Sequence, residues 1–132
     1  RTAECSGVHA IVIPARGAAQ VTADAIKTSA GALNKIPICR ETNLKRTVEY
    51  LQGSGIRVIA ASEKGTEDYF KSDFSGPLAI IMGSEEDGVS NDLIRSADEL
   101  VRIPLSGTIS SLNVSVACGV MLYEAIRQRS KK

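Results

Sequence analysis

The sequence predicts an α/β fold with a mainly parallel sheet flanked by helices, and three observations predict it. Short β-branched runs alternate with helix-length amphipathic stretches. Several of the runs are nearly continuous in apolar residues, as in strands covered on both faces. The order reads β-α-β-α-β-β-α-β-α, the alternation that builds parallel sheets.

The expected strands are 9–14, 36–39, 56–60, 78–82 and 100–103. Helices are expected over 22–33, 43–52 and 91–97, each opened by a capping residue: Thr22, Asn43 and Asn91. The second carries Leu44, Val48 and Leu51 on one face and is followed by Gly53 at the position after its C-cap. A last helix over 112–128 places Leu112, Val116, Gly119, Val120, Tyr123 and Ile126 on one stripe, which reads as the face docked on the core. Ser110 or Ser111 would cap it, and Arg127 and Arg129 stand near the negative end of its dipole. Residues 128–132 read as a loose tail.

A chain of 132 residues suits one domain, 1–132. It opens at Arg1 inside helix-like text, Arg1-Thr-Ala-Glu-Cys5, so an upstream segment is expected to precede it. The composition, 43% hydrophobic and 23% charged, is that of a soluble globular protein, and the apolar runs are too short to span a bilayer. No membrane role and a cytoplasmic location are expected. Three cysteines at wide spacing argue against a disulfide framework and against zinc held by close Cys pairs; they read as reduced, mostly buried thiols. His9 is the one histidine and reads as a structural residue at a strand start, so no metal site is expected. Sixteen basic and 15 acidic residues give a net charge of +1, too little to grip nucleic acid unaided.

Ligands of open α/β sheets bind beyond the carboxyl ends of strands, which directs attention to the loops after Met82 and Ile103. The first is Gly83-Ser-Glu-Glu-Asp-Gly88. Its glycine spacing mimics a phosphate-binding loop, yet Val89-Ser90 stands where Lys-Ser/Thr is required, and three carboxylates would repel a triphosphate. A cationic, phosphate-free cofactor such as S-adenosylmethionine suits it better. Glu86 and Asp87 read as a solvated turn, with Gly88 at a positive φ. The second loop runs Ile103-Pro-Leu-Ser-Gly-Thr-Ile-Ser-Ser-Leu-Asn-Val-Ser115, small polar residues entering a helix, where backbone N–H groups are unpaired. Asn113 is more polar than a structural helix start requires, which favours a ligand or substrate role.

Residues 78–90, Leu-Ala-Ile-Ile-Met-Gly-Ser-Glu-Glu-Asp-Gly-Val-Ser, resemble the second motif of the SpoU (TrmH-like) RNA ribose 2′-O-methyltransferases. Residues 103–117, which include Ser-Leu-Asn-Val-Ser, resemble the third, and Arg1-Thr-Ala-Glu-Cys-Ser-Gly7 resembles the tail of the first. The middle, 22–63, is closest to the bacterial subgroup acting on a guanosine of large-subunit ribosomal RNA. The resemblance implies a SPOUT-type α/β knot, a deep trefoil knot that general topological rules would not have drawn. It also implies a homodimer with sites at the interface, a catalytic domain lacking its N-terminal RNA-binding extension, and RNA as substrate, ribosomal rather than transfer RNA.

By motif, Gly83, Ile103, Leu105, Leu112 and Asn113 would hold S-adenosylmethionine, and Arg1, Glu85, Ser111 and Asn113 match the catalytic positions. Leu105 stands where methionine is common. A sulfonium methyl is already activated, so positioning of the ribose hydroxyl carries most of the work and no metal is needed. Two other readings compete. A non-catalytic cofactor- or RNA-binding module of the same fold would keep the pocket and dimer surface without methylation. A flavodoxin-like nucleotide binder would need a phosphate-cradling loop with a basic partner, which is missing.

Overall fold

A computed structural model describes residues 2–14, 36–83, 88–108 and 112–130. The chain divides into two compact units, Arg1–Leu44 and Lys45–Lys132. In the first, helix α1 (Thr2–Cys5) precedes strand β1 (Ile11–Pro14), which pairs in parallel with β2 (Ile38–Glu41). The two strands align Ile11 with Ile38 and Pro14 with Glu41. β1 is not covered on both faces as its apolar run suggested: half-buried Ile11 and Ile13 alternate with exposed positions, and Val12 keeps 40% of its surface. The helix expected over 22–33 lies outside the described residues.

The second unit holds a four-stranded parallel sheet in the order β4-β6-β3-β5, made of β3 (Arg57–Ala61), β4 (Glu67–Asp68), β5 (Leu78–Ile81) and β6 (Glu99–Arg102). β3 pairs with β5 on one side and β6 on the other, and its Val58, Ile59 and Ala60 are fully buried. A continuous apolar run belongs at such a position, since helices and loops cover both faces of a central parallel strand. All five expected strands are present, with ends moved by one or two residues; the two-residue β4 carried no signal of its own.

Helix α2 (Leu44–Gly53) closes in a Schellman motif: Ile56 N–H donates to Leu51 O at 3.0 Å and Gly55 N–H to Gln52 O at 3.1 Å. The left-handed residue is therefore Gly55, at φ 84°, while Gly53, expected there, is the helix's last residue. Helix α3 (Asn91–Ser96) is capped by Ser90, whose hydroxyl accepts from Leu93 N–H, and Asn91 is its first helical residue.

The core joins Ile59, Phe74, Val101, Met121 and Ala125. Phe74, on the loop before β5, stands among turn residues and so escapes any periodic reading. The C-terminal helix α4 (Val114–Ser130) contributes Met121 and Ala125, with the Glu124 carboxylate beside them. This overturns the expected stripe: the docked face is the one opposite, and Val116 and Tyr123 keep 54% and 49% of their surface exposed. The helix also starts two residues later than expected and runs through to Ser130, so 128–130 is not tail.

The cysteines are free, but Cys5 and Cys39 are exposed and only Cys118 is half-buried, so the expectation of mostly buried thiols fails. Burial pushes the Cys118 thiol up. Among the described residues no helix is long and apolar enough to cross a membrane, and no group of three or more His, Cys, Asp or Glu gathers to hold a metal.

Candidate active site

In a parallel sheet every strand ends on the same edge, so the loops after β5 and β6 leave together from the carboxyl edge. Strand order adds a fact that the sequence does not show. Because β3 lies between β6 and β5, its own following loop, 62–66, sits between the two motif loops. That loop is pinned to its neighbours. Ser62 N–H donates to Val101 O at 2.9 Å, Ser62 Oγ accepts from Lys64 N–H at 3.1 Å, and Lys64 Nζ reaches Asn91 Oδ1 at 3.3 Å. Gly65 has its backbone against β6, where a Cβ would stand 2.7 Å from the Val101 carbonyl carbon. Ser62-Glu63-Lys64-Gly65-Thr66 was absent from the expected site, although the rule that selects strand-end loops applies to it equally.

The first motif loop begins at Gly83, and its backbone ends meet. A Cβ on Gly83 would lie 2.2 Å from the Gly88 carbonyl carbon and 2.3 Å from Val89 N, so no other residue fits without moving the chain. Gly88 takes φ 68°, the positive value expected of it. Glu85, between them, lies outside the described residues.

The second motif loop leaves β6 at Ile103, which packs against the core. Leu105 and Leu112 keep 41% and 39% of their surface exposed, an apolar lining with no core to enter. Asn113 opens α4: its Oδ1 accepts from Ser115 N–H at 2.9 Å and Val116 N–H at 3.3 Å, and its carbonyl accepts from Ala117 N–H at 2.9 Å. It is thus the N-cap, the role expected of Ser110 or Ser111. Ser111, like Arg1, lies outside the described residues. Gly83 thus follows β5, Ile103 and Leu105 follow β6, and Leu112 and Asn113 stand at the start of α4.

Gly83 lets backbone approach backbone, the leucines offer apolar surface, and a helix start supplies polar groups. In class, the molecule is an α/β protein built on parallel sheets flanked by helices.

The family model described as the SpoU rRNA Methylase family matches residues 1–123, and the chain belongs to that family. A 23S rRNA (guanosine-2′-O-)-methyltransferase RlmB from Photobacterium profundum is 44% identical over 129 residues, covering 98% of this chain and 53% of the relative. The chain thus spans about half the length of the curated relatives it matches. Among solved structures, the SpoU methyltransferase AviRb from Streptomyces viridochromogenes, in complex with the cofactor AdoMet, superposes with a TM-score of 0.90 at 29% identity, over 99% of this chain and 51% of that one. An AdoMet-bound rRNA methyltransferase from Sinorhizobium meliloti gives 0.88 at 33% identity, over 96% and 49%.

Proposed function

We propose that this chain is the catalytic domain of an S-adenosylmethionine-dependent enzyme that methylates a ribose 2′-hydroxyl in RNA, a guanosine of large-subunit ribosomal RNA before any transfer RNA. The observation that carries the reading is geometric: both motif loops leave the carboxyl edge of one parallel sheet and flank its central strand. Membership of the family and the relatives' activity support it.

S-adenosylmethionine, when bound, supplies a methyl group on a sulfonium that is already a good leaving group. Gly83 brings the first loop's backbone close, and Ile103, Leu105 and Leu112 offer an apolar bed with backbone donors and acceptors at its rim. Asn113 has its amide orientation fixed by the two cap bonds, so its Nδ2 edge is presented in one direction. Glu85 and Ser111 are assigned by motif to order the loops around the reacting groups. Arg1 is assigned to the ribose hydroxyl and its adjacent phosphate. A guanidinium stays protonated, so it holds the phosphate and the oxygen as charge develops there. The proton from O2′ leaves to a phosphate oxygen or to water.

The same proposal includes the trefoil knot, a cytoplasmic location and a homodimer. Exposed Val116 and Tyr123 on α4, with Arg127 beside them, support a second copy as the partner, because aromatic and apolar side chains around an arginine suit a protein surface. The net charge of +1 supports an RNA grip supplied outside 1–132. Calorimetry with S-adenosylhomocysteine, ATP and NAD tests the cofactor, and tight ATP binding without a response to S-adenosylhomocysteine sinks it. Primer-extension mapping of ribose methylation in cells lacking the gene tests the substrate; an unchanged ribosomal RNA pattern sinks that. The capping role of Asn113 favours a second reading, a binding module without catalysis, which predicts cofactor binding and no methyl transfer.

A further inference from the structure

Helix α4 is apolar on two sides. At 3.6 residues per turn, Val114, Ala117, Cys118, Met121 and Ala125 share one face, and Val116, Val120, Tyr123 and Ile126 share the face about half a turn away. The second set is bulkier, so burial of apolar area by itself favours turning it inward. The structure turns its Val116 and Tyr123 outward and leaves Val120 and Ile126 half-buried. Met121 is fully buried and Ala125 is 7% exposed, while Val116 and Tyr123 stand at about half exposure.

What separates the two faces is polar. Glu124 and Gln128 lie on the buried side, and the segment 72–74 gives Gln128 its partners. Gln128 Nε2 donates to Ser72 O at 2.9 Å and to Glu124 Oε2 at 2.7 Å, and Gln128 Oε1 accepts from Phe74 N–H at 2.7 Å. Arg127 closes a two-pronged pair on the same carboxylate at 2.8 and 2.7 Å. Glu124 is itself 7% exposed. Rotating α4 by half a turn would strip Gln128 from the Ser72 carbonyl and the Phe74 amide, each of which is expensive to leave unpaired, while the bonds among Glu124, Arg127 and Gln128 lie within the helix and turn with it. The Glu124–Arg127 pair, with Arg127 half exposed and both residues on one helix, is satisfied in either orientation, so the discrimination rests on Gln128.

We infer that Gln128, braced by Glu124, is a rotational lock on α4: it chooses which of the two apolar faces enters the core and leaves the other for a second copy of this chain. The lock stands on the contacts above; only the occupant of the outer face rests on the proposed dimer. The double variant Glu124→Leu, Gln128→Met keeps the volume and removes the lock. Cys118 reports the register, because it lies on the inward face and is half-buried, and exposed Cys5 and Cys39 serve as internal controls. Thiol alkylation of the protein, read peptide by peptide, should show Cys118 speeding up by about tenfold with Cys5 and Cys39 unchanged. Sedimentation should show the dimer dissociation constant rising by about tenfold or more. Faster Cys118 labelling with an unchanged dimer keeps the lock and removes the second copy from that face. Unchanged Cys118 labelling in a folded variant overturns the lock whatever the oligomeric state. If the double variant fails to melt cooperatively, Gln128→Glu, which keeps an acceptor for Phe74 N–H and sets a carboxylate against Glu124, carries the same labelling test. If that also fails to fold, the network serves stability and not choice of face, and the inference falls.

Discussion

At the amino edge of the four-stranded sheet, side chains saturate backbone. Arg57 pairs with Glu99 and donates to the Asp73 carbonyl, Asp98 Oδ2 accepts from Val58 N–H at 2.7 Å, and Gln128 binds Ser72 and Phe74. The Asp73 carboxyl is held below its usual range chiefly by the Ser75 side-chain hydrogen bond. At the carboxyl edge, backbone packs on backbone at Gly83 and Gly65, and Leu105 and Leu112 stand exposed. One edge is tied by side chains to backbone; the other, bonded too at Ser62, Lys64 and Asn113, also keeps Leu105 and Leu112 exposed. The difference bears on the proposed site: a ligand there would gain most from the edge that keeps apolar surface exposed.

Gly83→Ala should break this contrast most severely. With a Cβ 2.2 Å from the Gly88 carbonyl carbon, the loop must open. Overpacking of this kind costs about 1–3 kcal/mol, and S-adenosylhomocysteine affinity should fall by roughly a hundredfold or more in calorimetry. Binding within a few-fold of the unaltered protein would mean that the neck of this loop is not part of the pocket.

Asn113 sharpens the contrast because it serves both structure and site. Asn113→Asp keeps the cap acceptor, and a negative charge at a helix start is favourable, so melting should be unchanged or slightly raised. The amide donor is gone, and methyl transfer should drop by about two orders of magnitude. Asn113→Ala removes both functions, adding about 1 kcal/mol of destabilisation. If the aspartate variant keeps full activity, capping is all that Asn113 does.

At the amino edge the effect should be structural alone. Asp98→Ala leaves Val58 N–H without its 2.7 Å partner, on a residue with no exposed surface. A loss of about 1–3 kcal/mol in chemical denaturation is expected, with cofactor affinity unchanged. A fall in affinity at constant stability would show that the two edges are coupled.

Much of the carboxyl edge was legible because its signals are local. A buried strand followed by Gly83 and a cluster of acids, or a strand end followed by small polar residues, can be read within a dozen positions. The amino edge was illegible because its partners are far apart in sequence: Gln128 meets Ser72, Asp98 meets Val58, and no periodicity foretells either. The same distance misled the reading of α4. Hydrophobic spacing selected the stripe Leu112, Val116, Tyr123, and it is a real stripe; what decides the buried face is a polar contact with residues some fifty positions earlier. Caps failed more narrowly. Asn91 and Ser90, or Asn113 and Ser111, are equally good cap types, and only the hydrogen-bond pattern separates them.

The smallest predicted effect separates position from role. Ser90 stands on the carboxyl edge, just past the first motif loop, yet its hydroxyl accepts from Leu93 N–H at 3.4 Å and so is spent on capping α3. If the edge itself made a residue functional, Ser90→Ala would weaken cofactor binding. If function follows unconsumed groups, it should behave like an amino-edge residue. The bond is long and exposed, so the loss should sit at the low end for a cap, about 0.5 kcal/mol, or a fall of about 2 °C in melting temperature. Calorimetric affinity for S-adenosylhomocysteine should stay within twofold. A several-fold loss of affinity with unchanged melting would place the Ser90 hydroxyl in the pocket, and the division between the two edges would then follow location and not bonding.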